Sequence, residues 1–140
     1  MKVLKFGGTS VANSESISNV ISILNNNRND NLLIVVSALG GITNLLQECL
    51  SHKGKSTENI INKIEERHLE VINNLSDLDD PSSLKSFLKE NLNLLEDILD
   101  AISTIDEVTK KTVSKVLTLG ELLSSKIIYK ILVQKGFDIN

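Results

Sequence analysis

The sequence is poor in the residues that build disulfide frameworks, thiolate metal clusters and base-stacking surfaces. Of its 140 residues one is cysteine, one is proline, none is tryptophan, and aromatic residues make up 3%. A single cysteine forms neither an internal disulfide nor a thiolate cluster, and so few aromatic rings offer little surface for stacked bases. The 15 basic and 18 acidic residues give a net charge of −3, which provides no general basic field. We therefore expect neither a nucleic-acid partner nor a protein-bound metal.

Long hydrophobic segments are also lacking. No apolar run approaches the roughly 20 residues that a membrane-spanning helix needs, and the residues after Met1 do not form the hydrophobic core of a signal peptide. These absences favour a cytoplasmic protein without a membrane partner. The length of 140 residues corresponds to one domain, which we assign to residues 1–140.

The first distinctive stretch is Lys2–Ser10, with the sequence KVLKFGGTS. Val3–Phe6 predicts a short strand, and helical periodicity begins after the glycine pair. A strand, a glycine turn and a helix N-terminus in this order can present backbone N–H groups to an anion. Gly7 and Gly8 would let the main chain approach a phosphate and adopt positive φ, and Lys5 would add a positive charge. The spacing is not that of a Walker A loop, and a plain turn with a solvent-facing lysine is the alternative at this point.

The next elements extend the pattern into a βαβ unit. Apolar residues at helical spacing predict a helix that begins at Asn13 or Ser14. They are Ile17, Val20, Ile21 and Leu24. Leu32–Val36 is a continuous apolar run, which is typical of a strand buried on both faces of a parallel sheet. We therefore expect strands near residues 2–6 and 32–37 to be adjacent and parallel.

A second glycine-bearing turn follows the second strand, in the segment Ser37–Asn44 with the sequence SALGGITN. The helix after it would bury Cys49, which is best interpreted as a small core residue. Ligands of open α/β sheets bind outside the carboxyl ends of the strands, so two such turns from neighbouring strands would face one cleft. This doubling favours the phosphate-binding interpretation over the plain turn.

The middle of the chain loses the alternation of strand and helix. A polar segment over residues 51–57 predicts an exposed loop, and two helical stripes then follow without a strand between them. They predict a helical hairpin standing off the sheet, the second helix starting with Asp80 as N-cap and Pro81 as its first residue. His68 lies in the first stripe, where a core role is favoured over a ligand role.

The last helical stripe runs from Val113 to Leu132 and contains a glycine followed by an acid. A glycine inside a helix costs roughly 1 kcal/mol relative to alanine, so Gly120 predicts close packing or a bend. After this helix, Phe137-Asp138-Ile139 predicts the onset of a third strand. We expect the sequence, which ends at Asn140, to be cut short there.

Three blocks of this sequence together resemble the N-terminal signatures of aspartate kinases, which belong to the amino acid kinase superfamily. The blocks are Lys5–Ser10, Ser37–Asn44 and Gly120–Ser124. The Arg67-His68-Leu69 segment resembles a helix found between the second and third blocks. Met1–Ala12 resembles bifunctional aspartokinase–homoserine dehydrogenases in particular. The resemblance implies an α/β/α sandwich with a mainly parallel sheet and a helical hairpin insertion, of which this chain would be the N-terminal portion.

The resemblance also implies site residues. Those on the nucleotide side are Lys5, Gly7, Gly8 and Ser37. Lys5 would act catalytically, by contacting the transferred phosphoryl group. On the substrate side, Thr43 would contact aspartate and Glu121 would pair with its α-ammonium group. The implied ligands are ATP, Mg²⁺ bound through the nucleotide, and L-aspartate.

The implied reaction transfers the γ-phosphoryl group of ATP to the β-carboxylate of aspartate, the first step towards lysine, threonine and methionine. A carboxylate is itself a nucleophile, so catalysis consists of positioning and charge neutralisation. The family's later Gly-rich segment is absent, so we expect the fragment alone to be inactive. The resemblance also implies that the full-length protein is a homo-oligomer. Two alternatives stay open: a kinase for glutamate, acetylglutamate, UMP or carbamate, and a non-catalytic binding or regulatory module of the same fold.

Overall fold

The computed structural model describes residues 1–76 and 78–139, which form two β-strands and five α-helices. In chain order they are β1 (Lys2–Phe6), α1 (Ser14–Asn26), β2 (Leu32–Val36), α2 (Ile42–Ser51), α3 (Glu58–Asn74), α4 (Ser82–Ile105) and α5 (Lys110–Gln134). A short 3-10 helix, Gly8–Val11, lies between β1 and α1. None of the helices in the described residues is both long and apolar enough to cross a membrane.

The two strands pair in parallel and α1 connects them. The register aligns Lys2 with Leu32 and Phe6 with Val36. α1 begins where the Asn13 side chain accepts the Ser16 N–H at 2.9 Å. It buries the predicted apolar stripe, which consists of Ile17, Val20, Ile21 and Leu24. The predicted βαβ unit is therefore confirmed.

The helices cover one face of the sheet and leave the other open. Phe6 and Ile34 pack into the core on the inner face. On the outer face, Leu33 and Val35 are 49% and 42% exposed. The prediction that β2 is buried on both faces is therefore wrong within the described residues. The apolar run indicates a strand suited to burial on both sides, but these residues supply a helical layer on one side only.

The predicted helical hairpin is formed by α3 and α4, which pack on each other, while α4 also packs on α5. Its second helix starts one residue later than predicted. The Pro81 carbonyl accepts the first intrahelical hydrogen bond, from the Lys85 N–H at 3.0 Å, so Pro81 rather than Asp80 holds the N-cap position. The Asp80 carboxylate still accepts the Ser82 N–H at 2.9 Å and thereby satisfies one free donor of the first turn.

The polar connection over residues 51–57 is mostly exposed, as predicted, but Gly54 and Thr57 within it are buried. Gly54 is buried and has a φ of +71°, and a Cβ added there would lie 2.0 Å from the Leu99 carbonyl oxygen. The backbone of this connection therefore lies directly against α4. The Lys53 ammonium is also 3.3 Å from the Asp106 carboxylate at the end of α4. Only glycine fits both the backbone angle and the close approach at this point.

Residues 137–139 do not form the predicted third strand. Gly136 follows the C-terminus of α5 with a φ of +72°, and the guanidinium of Arg28 donates to its carbonyl. The same guanidinium lies 4.7 Å from the centroid of the Phe137 ring. A strand needs a neighbouring backbone as partner, whereas these contacts tie the segment to a side chain. Asn140 lies outside the described residues.

Cys49 and His68 lie in the core, as predicted. Burial raises the pKa of the Cys49 thiol to about 11, so this thiol is protonated and unreactive at neutral pH. His68 is 1% exposed, and its Nδ1–H donates to the Ile64 carbonyl at 2.7 Å. Its Nε2 has no hydrogen-bond partner among the described residues. Burial, the main cause, lowers the pKa of His68 below 6.5, and the nearby Arg67 acts in the same direction.

We expect His68 to make the fold sensitive to mild acid. Below pH 6.5 the unfolded chain binds a proton at His68 that the folded chain excludes, so the free energy of unfolding falls as the pH is lowered. The slope approaches about 1.4 kcal/mol per pH unit down to the lowered pKa. Urea unfolding between pH 7.5 and 5.5 measures it. His68→Leu should flatten this dependence, whereas His52→Gln, at the exposed histidine, should retain it. An unchanged slope in His68→Leu would contradict this assignment.

Candidate functional site

The first candidate segment leaves the carboxyl end of β1. Gly7 is extended, with a φ of −73° and a ψ of 175°, and neither it nor Gly8 adopts the positive φ that was expected. The helix N-terminus expected after the glycine pair belongs to the four-residue 3-10 helix, and α1 begins only at Ser14. A Cβ added at Gly7 would meet no atom within 4 Å. The missing side chain therefore leaves open space beside this backbone for a ligand.

The second candidate segment leaves the carboxyl end of β2. The Ser37 N–H donates to the Phe6 carbonyl at 3.0 Å, which continues the parallel pairing beyond the strand. Gly41, with a φ of +84°, is the N-cap of α2 and supplies no side-chain acceptor. Thr43 lies half-buried in the first turn of that helix. The N–H groups of this turn thus lack a side-chain cap, an arrangement that favours an anionic ligand.

The two segments touch each other at the carboxyl edge of the sheet. A Cβ added at Gly8 would lie 3.8 Å from the Ala38 carbonyl oxygen. One added at Gly40 would lie 3.1 Å from the Ala12 Cβ. Both contacts follow from parallel pairing, which brings the ends of β1 and β2 to the same edge. The two glycine-bearing turns therefore lie side by side.

α5 brings the third sequence block to this edge. A Cβ added at Gly120 would lie 2.7 Å from the Ala38 Cβ, so the lack of a side chain allows α5 to approach the second segment. Close packing is thus the reason for this glycine. The Ser124 hydroxyl is fully buried and donates to the Ser37 carbonyl at 2.5 Å. Together these contacts hold the turn of α5 that contains Glu121 beside the end of β2.

Three candidate side chains at this edge have no protein partner for their polar groups. Within the described residues no hydrogen bond or ion pair engages the Glu121 carboxylate, the Thr43 hydroxyl or the Ser37 hydroxyl. All three residues are half-buried. Partial burial shields a charge pair from solvent, so the Glu121 carboxylate is suited to hold an ammonium group supplied by a ligand.

Lys5 lies near this edge but projects from the outer face of the sheet. In the parallel register Lys5 lies opposite Val35, and its side chain is on the same exposed face of β1 as that of Val3. Its ammonium forms no ion pair with the described residues. Lys5 therefore adds an unpaired positive charge one residue before the carboxyl end of β1, on the face opposite to that on which α5 packs.

One contact at the candidate edge was not predicted from the sequence. The Arg67 guanidinium, on α3, donates to the Ala12 carbonyl at 3.3 Å and lies 3.6 Å from the Glu70 carboxylate. Ala12 also contacts Gly40, so α3 supports the first segment where it meets the second. Sequence position alone does not identify this pair, because the two residues are 55 positions apart.

The chemistry available at the edge is that of N–H groups, hydroxyls, one carboxylate and one nearby ammonium. Over residues 1–76 and 78–139, no three His, Cys, Asp or Glu side chains are placed to hold a metal ion. A groove of about 460 Å³ lies at the other end of the sheet and includes Arg28 and Phe137. The Arg28 guanidinium in this groove already donates to the Lys135 carbonyl at 2.9 Å. Arg28 therefore ties the end of α5 to the segment before β2.

The whole chain matches a known protein family. The model of the amino acid kinase family matches residues 1–140. The bifunctional aspartokinase/homoserine dehydrogenase of Buchnera aphidicola subsp. Acyrthosiphon pisum (strain APS) is 29% identical over 145 residues, covering 99% of this chain and 18% of that protein. The aspartokinase of Chlamydia pneumoniae is 33% identical over 137 residues, covering 98% of this chain and 28% of that protein. The chain thus spans less than a third of the length of either relative.

A solved structure shares the fold. The structure of E. coli aspartokinase III in complex with aspartate and ADP matches with a TM-score of 0.81 and 24% identity, covering 96% of this chain and 29% of that one. The predicted fold class, the N-terminal part of an α/β/α sandwich with a mainly parallel sheet and a helical hairpin insertion, is therefore confirmed as a fragment of that fold, in which the described residues form the parallel sheet, the hairpin and one helical layer. The resemblance drawn from the three sequence blocks is confirmed by the same set of comparisons.

Proposed function

The chain belongs to the amino acid kinase family, and on that basis we propose that it is the N-terminal part of an aspartate kinase. The proposed reaction transfers the γ-phosphoryl group of ATP to the β-carboxylate of L-aspartate and gives 4-phospho-L-aspartate and ADP. One observation carries the proposal. Gly8, Ala38 and Gly120 meet at the carboxyl edge of the sheet, beside a half-buried Glu121 carboxylate without a cation partner. The relatives named aspartokinase support aspartate as the substrate.

On the nucleotide side, the chain offers a cradle of backbone groups and one charge. Gly7 and Gly8 leave the main chain of the first segment accessible, and the uncapped first turn of α2 supplies N–H donors. Ser37 adds a hydroxyl between them. Lys5 supplies the positive charge that neutralises the transferred phosphoryl group. The donors are of the kind that phosphate oxygens accept, and none of them requires a proton transfer.

On the substrate side, two residues would orient aspartate. The Glu121 carboxylate holds the α-ammonium group, and the Thr43 hydroxyl donates to the substrate from the first turn of α2. Because Gly120 and Ser124 fix α5 against the end of β2, the distance between these groups is set by the fold. The substrate β-carboxylate is then held in line with the γ-phosphorus, and this positioning lowers the barrier without a general base.

Mg²⁺ fits the site as an ion carried by the nucleotide. The donors at the edge are mainly N–H groups and hydroxyls rather than a set of carboxylates, so the phosphate oxygens would be its principal ligands. When bound, the ion neutralises charge on the phosphates. The chain's own residues would position those phosphates and the attacking carboxylate.

We further propose how the full-length protein is organised. It would continue beyond these residues with the rest of the kinase domain, work in the cytoplasm and form a homo-oligomer. The continuation is supported by the coverage, because the chain spans 18% and 28% of its two relatives and most of their length is unmatched.

The test of the proposed function is the substitution Glu121→Gln in the full-length protein. Glutamine keeps the size and the hydrogen-bonding groups but removes the charge that would pair with the substrate ammonium. A partly desolvated pair contributes more than an exposed one, so we expect the KM for aspartate to rise at least about tenfold, or about 1.4 kcal/mol. The KM for ATP and the Tm should stay close to those of the wild type. Steady-state kinetics and thermal melting measure these quantities.

Two comparisons make this test specific. Glu107→Gln removes an exposed acid just before α5 and should leave the KM for aspartate unchanged. Aspartate analogues without the α-amino group should bind the wild type more weakly than aspartate, and Glu121→Gln should not make this distinction. Equal discrimination by both proteins would show that Glu121 does not recognise the ammonium. Turnover of glutamate, acetylglutamate, UMP or carbamate in place of aspartate would refute the proposed substrate.

A further inference from the structure

Ser124 is a buried polar residue at the point where α5 meets the sheet. It is 0% exposed. Its hydroxyl donates to the Ser37 carbonyl at 2.5 Å and lies 3.1 Å from the Glu121 carbonyl, one turn earlier on its own helix. A hydroxyl carries a single proton, and the shorter contact is the one to Ser37. One side chain thus touches the backbone of two residues to which the proposed function gives different ligands.

The Ser37 backbone is held from both sides. Its N–H donates to the Phe6 carbonyl at 3.0 Å, and its carbonyl accepts from Ser124. The first of these bonds ties it to β1 and the first glycine turn. The second ties it to α5 and therefore to the turn that contains Glu121. This hydroxyl is the hydrogen bond that joins the two sides, beside the packing of Gly120 on Ala38.

Solvent cannot easily replace the hydroxyl. Ser124 is inaccessible to water, and its neighbour Leu123 is 5% exposed. Without this donor, and with the side of it that faces Ser124 closed to water, the Ser37 carbonyl stays unsatisfied there or moves towards another donor. Either the end of β2 or α5 would then shift, and the groups that meet the two substrates would shift with it.

From this geometry we propose that Ser124 is a positioning residue, which couples the nucleotide-side segment at Ser37 to the aspartate-side carboxylate of Glu121. It touches neither ligand. Its hydroxyl sets the separation between the two halves of the site, so its loss weakens the use of aspartate and slows turnover. This inference rests on the proposed function and assigns a role that the sequence motif alone leaves open, since packing would also explain a serine there.

The experiment compares Ser124→Ala with Ser125→Ala in the full-length enzyme. Ser125 is the matched control, because its hydroxyl donates at 2.9 Å to the Leu122 carbonyl of its own helix and lies on the exposed side. Since small displacements of reacting groups cost large factors in rate, we expect Ser124→Ala to lower kcat/KM for aspartate about tenfold. Ser125→Ala should match the wild type. Assays run well below the Tm, with the rate expressed per folded molecule, separate this effect from lost stability.

A double-substitution cycle tests whether Ser124 acts through Glu121. In a Glu121→Gln background, Ser124→Ala should lower kcat/KM for aspartate less than about threefold, because residues that act as a unit are not additive. Full additivity would overturn the coupling. Equal kinetics of Ser124→Ala and Ser125→Ala would overturn it as well.

A second variant covers the case in which Ser124→Ala is unstable. If Ser124→Ala does not fold, Ser124→Cys keeps a donor at the same position, a weaker one on a larger atom. A loss of at least about threefold in kcat/KM then supports the proposal, and wild-type kinetics overturn it. A wild-type enzyme that does not phosphorylate aspartate would refute the proposed function itself, which is distinct from an active enzyme insensitive to Ser124.

Discussion

Replacing Lys5 with alanine in the full-length enzyme should lower kcat for aspartate phosphorylation by ~10²–10³, or about 3–4 kcal/mol. In the proposed reaction, negative charge on the transferred phosphoryl group is redistributed in the transition state, where a fixed cation interacts more strongly than with bound ATP. Lys5 is suited to this role because it is exposed and unpaired among the described residues. Its ammonium needs to break no internal ion pair to reach a ligand. Steady-state kinetics at saturating ATP and aspartate measure the effect.

The control for Lys5 lies on the same strand. Lys2 is at the other end of β1, and its ammonium is 2.6 Å from the Asp30 carboxylate. Lys2→Ala removes one positive charge from the same strand, but at the end away from the candidate site. An exposed ion pair contributes little, so this substitution should leave kcat within about twofold of the wild type. A fall of less than tenfold in kcat for Lys5→Ala, with only the KM for ATP raised, would make Lys5 a binding residue rather than a catalytic one.

The helices and strands can be predicted from the spacing of apolar residues, because the buried side of each element selects apolar residues at regular intervals. The α1 stripe recurs at helical spacing because one side of the helix faces the core, where Ile17 and Leu24 are both fully buried. The run Leu32–Val36 forms a strand paired in parallel with β1. The edge carrying the candidate site was also predictable, since parallel strands joined by a helix bring their carboxyl ends together.

The contacts that complete the site were not predictable in the same way. Ser124 and Ser37 are 87 positions apart, and which hydroxyl meets which carbonyl depends on how α5 packs. The same holds for the Arg67 contact with Ala12. The contact of Gly54 with α4 is a third example of a contact that the sequence does not predict. Its polar neighbours favour an exposed loop, whereas its backbone lies against α4. Composition reports the average environment of a segment, whereas these contacts depend on single atoms brought together by tertiary packing.

Replacing Gly120 with alanine sets two effects of opposite sign against each other. Alanine in a helix interior gains about 1 kcal/mol over glycine. The added Cβ, however, would lie 2.7 Å from the Ala38 Cβ, whereas carbon atoms in contact are usually about 3.5–4 Å apart. Relief requires α5 and the second segment to separate by about 1 Å, and such overpacking costs about 1–3 kcal/mol. Stability should therefore fall by no more than about 2 kcal/mol.

Activity should respond far more strongly than stability. The separation displaces Glu121 from the second segment, which holds the nucleotide in the proposed function, and a displacement of about 1 Å can lower the rate about 10²-fold. We therefore expect kcat/KM for aspartate in Gly120→Ala to fall about 10²-fold while the enzyme stays folded at assay temperature. The reciprocal change Ala38→Gly removes the atom that the new Cβ meets, so the double variant should recover most of the lost activity. A Gly120→Ala enzyme that is more stable than the wild type and equally active would mean that the glycine serves neither packing nor the site.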